Sequence, residues 1–124
     1  MLRECLLSLE TQAKKLGVEV IVVSNFNCEN AEIKPQFNFA KFIFLTPETA
    51  IPQLRKHGII MAKGEIIALS EDLCTFESDW CQEILTAHKS PYSVIGGAIE
   101  NASVNNSLNW AVYFFDYEIG RAHV

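Results

Sequence analysis

The sequence predicts an α/β domain built on a mostly parallel sheet with helices on both faces. Three observations carry this expectation. "VEVIVV" (residues 18–23) is β-branched and apolar almost throughout, the pattern of a strand covered on both sides. Leu2, Cys5, Leu6, Leu9, Ala13 and Leu16 recur at helical spacing. Strand-like and helix-like stretches then alternate along the chain, which implies parallel strands joined by right-handed crossovers.

The elements follow in order. The first helix spans the stripe just named and stops at Gly17. "VEVIVV" is the first strand, and the Asn-rich stretch 24–36 reads as a loop ending near Pro35. "FAKFIFL" (39–45) is a second strand. Thr46-Pro47 and Ile51-Pro52 open a helix running to about Ala62, because proline suits a first helical turn. "EIIALS" (65–70), entered through Gly64, is expected as a third strand. Ser78-Asp79 starts the next helix, an N-cap hydroxyl followed by an acid at the positive end of the dipole. That helix turns Trp80, Ile84 and Leu85 inward and ends near Lys89. "YSVIGGAIE" (92–100) is a fourth strand, and "SLNWAVYFFDYEIG" a last helix up to Gly120.

The chain has 124 residues, enough for one domain with its own core. A formal charge of −5 argues against a nucleic-acid binder, which needs a basic stripe. No apolar run reaches the length of a membrane span, and the first residues lack the pattern of a signal peptide. Cys5, Cys28, Cys74 and Cys81 form no Cys-x-x-Cys pair and have no histidine at zinc spacing. They read as free thiols of a reducing cytoplasm. His57, His88 and His123 have no mutual spacing of a metal site.

The most informative stretch is "GEIIALSEDLC" (64–74), where an apolar strand ends in the acid pair Glu71 and Asp72, followed by Leu73. In parallel sheets, ligands bind beyond the C-terminal ends of the strands. Both "SNFNCEN" and "SEDLCTFESDW" should lie on that rim. The governing expectation is that Ser24 and Asn25 meet Glu71 and Asp72 at a common edge. On the residues alone, Glu71 and Asp72 read equally as solvated acids, and Asn25 and Asn27 as ordinary turn residues.

The pieces "VEVIVVSN", "LRKHGIIMAKGEIIALSED", "ESDWCQEIL" and "VIGGAIEN" followed by "SLNWAVYFFDYEIG" resemble, in order and interval, the family 2 glycosyltransferases. These are inverting enzymes of the GT-A fold. The resemblance implies a nucleotide-diphospho-sugar transferase fold, with residues 1–124 as one partial domain that lacks the usual first strand and the acceptor-side region. It implies transfer of a sugar from a UDP- or GDP-linked donor to an acceptor hydroxyl, with a divalent ion (Mn or Mg) neutralising the leaving diphosphate. Position by position, Glu71 falls on the first acid of the family's metal motif, Asp72 on its middle and Leu73 on its second ligand, where a leucine cannot coordinate. Ser24 and Asn25 fall on the nucleoside side, and Arg55 at a position that faces the diphosphate or steadies the acidic loop. The family base comes later in the chain than Asp116 and Glu118, so no catalytic residue is assigned.

Such a chain is incomplete and inactive alone, and the alternative is a non-catalytic assembly module built on the same fold. A receiver domain is a weaker alternative, because Ser24-Asn25 and Glu100-Asn101 stand where its acids and lysine belong. The aromatic helix (Trp110, Tyr113, Phe114, Phe115, Tyr117) and open strand edges imply a homo-oligomer, most simply a two-fold dimer.

Overall fold

The computed structural model describes residues 1–25, 28–102 and 105–114. Expectations about Asn27, Phe115, Asp116, Tyr117, Glu118, Gly120 and His123 lie outside the described residues, as does the side chain of Cys28. Two compact units are present, Met1–Pro91 and Tyr92–Val124.

The first unit holds α1 (Leu2–Leu16), β1 (Val20–Asn25), α2 (Cys28–Ile33), a 3-10 turn (Lys34–Gln36), β2 (Ala40–Leu45), α3 (Ile51–Met61) and α4 (Trp80–Ala87). It is a mixed α/β arrangement around a parallel pair of strands, with Val20 opposite Ala40 and Asn25 opposite Leu45. Helix α1 forms where the apolar stripe requires it and buries Leu2, Cys5, Leu6, Leu9 and Ala13. Gly17 ends it at φ 67°, a left-handed conformation that glycine adopts at no steric cost. The Val18 amide then closes the cap onto the Ala13 carbonyl at 2.9 Å.

Side chains alternate across a strand, so Val20, Val22, Ala40, Phe42 and Phe44 share one face of the pair. All five pack into the α1 core, with Phe37 and Cys81. Val23 points to the opposite face, where α3 lies against it. A Cβ added at Gly58 would sit 3.3 Å from Val23 Cγ2, so the helix approaches closely where it carries no side chain. At its far end the Lys63 amide donates to Glu19 Oε2 at 2.9 Å. Helix α3 thus runs antiparallel to β1, and helices cover both faces of the sheet.

Three local expectations are corrected. Residues 24–36 are not simply a loop, since α2 and the 3-10 turn occupy most of them. Helix α4 begins at Trp80 behind Asp79, with no side-chain cap. Residues 65–70 and 92–100 form no strands. The reason is pairing rather than composition: among the described residues β1 ladders with β2 alone, and residues 65–70 stand across the cavity from its other edge without joining it. Ile67 and Leu69, apolar as a buried strand would require, are exposed. In 92–100 the Gly96-Gly97 pair has nothing within 4 Å of an added Cβ, and Val94 is 88% exposed. Glycine weakens a strand that no packing supports.

The second unit holds α5 (Ser107–Tyr113), capped by the Asn106 side chain, which accepts from the Leu108 amide at 2.9 Å. Trp110 stacks on Phe114 at 5.5 Å, and Tyr113 Oη donates to the Ile99 carbonyl at 2.7 Å. Among the described residues, no helix is long and apolar enough to cross a membrane.

Candidate functional site: the rim at the C-terminal end of β1

The direction of α3 builds the site. Gly58 lies beside Val23, and Arg55 is three residues earlier, about 4.5 Å nearer the helix start at 1.5 Å per residue. That brings Arg55 level with Asn25, the last residue of β1. Its guanidinium Nη2 donates to Glu71 Oε1 at 2.8 Å, so the acidic turn is drawn to the same level. Asn25 is itself fixed, its Nδ2 donating to the Pro47 carbonyl at 3.2 Å, while the amide oxygen remains an acceptor. Ser24 Oγ donates to the Asn25 carbonyl at 2.8 Å.

Ser24, Asn25, Arg55, Glu71 and Asp72 all line one cavity of about 1170 Å³. Its walls are the open edge of β1, the inner sides of α1, α3 and α4, and residues 63–72. The residues of the expected edge thus line the same cavity. His57 is exposed on α3, and the His88 ring nitrogen Nδ1 lies 3.0 Å from the Ile84 carbonyl on α4.

Sequence reasoning missed what holds the acidic turn in place. Residues 71–74 close a turn in which the Cys74 amide donates to the Glu71 carbonyl at 3.3 Å. Cys5 Sγ on α1 lies 3.9 Å from that same carbonyl oxygen. Farther along, the Phe76 amide donates to Ser8 Oγ at 3.0 Å. Gln12, buried in the α1 stripe, donates from Nε2 to the Glu77 carbonyl and accepts on Oε1 from the Cys81 amide, both at 2.8 Å. Positions 5, 8 and 12 recur at helical intervals within the apolar face, and that spacing was the available signal. Burial pushes the Cys5 thiol up to about 11, with the nearby negative charges of Cys74 and then Asp72 adding to the push. Burial likewise raises the Cys81 thiol.

The donor set does not fit a resident divalent ion. A hard cation takes six or more oxygens. Here the turn offers two carboxylates, Glu71 is paired with Arg55, and the 64%-exposed Leu73 supplies no oxygen. Among the described residues, no group of three potential His, Cys, Asp or Glu ligands converges. The arrangement can instead present a guanidinium to an anion. Arg55 is half-exposed and carries five N–H donors, more than Glu71 uses.

An α/β unit with parallel strands places its polar rim where sheets of this class bind ligands, beyond the C-terminal strand ends. Within that class the chain belongs to glycosyl transferase family 2, whose model matches residues 1–123. No curated protein and no solved structure matches it.

Proposed function

We propose that residues 1–124 act as one glycosyltransferase-like domain that takes a nucleotide-diphosphate sugar in the β1-edge cavity. The observation that carries the reading is the placement of Asn25 and Arg55 at the same level of one cavity, with Glu71 bonded to Arg55. Ser24 and Asn25 face the nucleoside, where the Asn25 amide oxygen would accept from a base N–H. Arg55 faces the diphosphate, and Asp72 borders it. At about 1170 Å³ the cavity is somewhat larger than the range of about 300–1000 Å³ usual for small-molecule clefts and has room for such a ligand. A divalent ion would have to draw most of its oxygens from donor phosphates and water, with Glu71 and Asp72 as the nearest protein carboxylates.

A second reading is favoured by a specific observation. Leu73 stands exposed beside an acidic turn that supplies too few ligands, which suits a non-catalytic assembly module derived from the same fold. The reading carries with it a cytoplasmic setting and a two-fold homo-oligomer, supported by the unpaired edge of β1. Mass measurement across concentrations should find dimer, and monomer at every concentration would end that part.

Calorimetry with UDP and GDP, each with and without manganese, separates the readings. The donor-site reading expects saturable heat in the wild type. It also expects Leu73→Asp to make the binding manganese-dependent, since the exposed position admits a carboxylate without repacking. No heat at millimolar nucleotide in a folded sample, from either protein, leaves the assembly module standing.

A further inference from the structure

We propose that Cys5 and Cys74 form a reversible disulfide that staples the acidic turn to α1. The two cysteines meet at one atom, through the thiol of the first and the backbone amide of the second: the Glu71 carbonyl oxygen lies 3.9 Å from Cys5 Sγ and accepts the Cys74 amide at 3.3 Å. A disulfide needs its two Cα atoms within about 7 Å, a separation that a shared carbonyl contact brings within reach. Cys5 is buried while Cys74 is half-buried, so the second is the accessible partner and the first the resolving one.

The step is thiol–disulfide exchange with a low-molecular-weight disulfide such as glutathione disulfide. The Cys74 thiolate attacks, one small-molecule S–S bond breaks, and one reduced thiol leaves. The Cys5 thiolate then attacks the mixed disulfide at the Cys74 sulfur and releases the second. Two protein thiols are oxidised, one disulfide is reduced to two thiols, and each proton lost by the protein ends on a departing thiol. Closure would restrain Glu71 and Asp72 relative to α1, and reductant would release them. The inference does not depend on what the cavity binds.

The folded wild-type chain, equilibrated with glutathione disulfide and then alkylated, should lose two of its four free thiols. Cleavage after glutamate should release residues 5–10 joined to residues 72–77, a link that excludes Cys81. Amide exchange at residues 72–74 should slow on oxidation and recover with reductant. Cys81→Ser should keep the cross-link and Cys74→Ser should abolish it. Four alkylated thiols, glutathione adducts without the linked peptides, or a Cys5 cross-link surviving in Cys74→Ser would each overturn the proposal. The peptide readout on the wild type holds even where a variant fails to fold.

Discussion

Leu6→Ala is expected to destabilise the chain by about 2–5 kcal/mol, a large part of the roughly 5–15 kcal/mol that holds a domain folded. Leu6 is 1% exposed and sits where α1 meets the shared face of β1 and β2. Removing its isopropyl end forfeits the burial of two methyl groups and a methine and leaves a cavity that α1, β1 and β2 cannot all close upon. Leu7, the next residue, points away and is 45% exposed. Leu7→Ala should cost well under 1 kcal/mol, since surface substitutions stay near ±0.5 kcal/mol. Urea unfolding of the two variants side by side is the check. Equal losses would mean that the helical stripe has been assigned to the wrong face.

Gln12→Leu is the second large effect, expected at about 1–3 kcal/mol from a buried backbone amide left without its partner. The leucine is close in size and more apolar, so transfer alone would favour it. Yet the Gln12 amide satisfies the Glu77 carbonyl and the Cys81 amide, two backbone groups 65 and 69 residues away in sequence. In the variant the Cys81 amide loses its partner, while the Glu77 carbonyl keeps the Trp80 amide at 3.1 Å. The expected signature is specific: residues 76–81 lose amide-exchange protection before the rest of the first unit. Urea unfolding with exchange by mass spectrometry reads both. A variant as stable as the wild type would show that water replaces the amide, and that Gln12 is not the clamp.

The elements legible in the sequence were those whose cause is local. Helix α1 followed from its own periodicity and Gly17, and α3 from Ile51-Pro52 at a helix start. β1 was legible because an unbroken apolar β-branched run suits a strand with helices on both faces, and α1 and α3 do cover it. Residues 65–70 carry the same composition, but composition cannot supply a ladder, and a strand is a property of two segments. The Arg55–Glu71 pair was legible only through the resemblance, which put Arg55 where it faces the diphosphate or steadies the acidic loop, because nothing local to "LRKHG" selects Glu71 over other acids. Gln12 was readable in principle, as a polar residue on an apolar stripe. Its partners were not, because they are backbone groups with no sequence signature. The mismatch at Leu73 was plain in the sequence, and its exposure agrees with a residue that neither packs nor ligates.

The account rests on Ser24 and Asn25, Arg55, and Glu71 and Asp72 forming one receiving edge for a nucleoside diphosphate. The most direct measurement is a two-dimensional amide NMR titration of the isotope-labelled chain with UDP, read residue by residue. The account predicts that the amides of residues 24–25, 55 and 71–72 shift together, along one saturation curve, and that Arg55→Ala removes the response at all three places. Shifts at only one of the three, or a response that Arg55→Ala leaves intact, would contradict it.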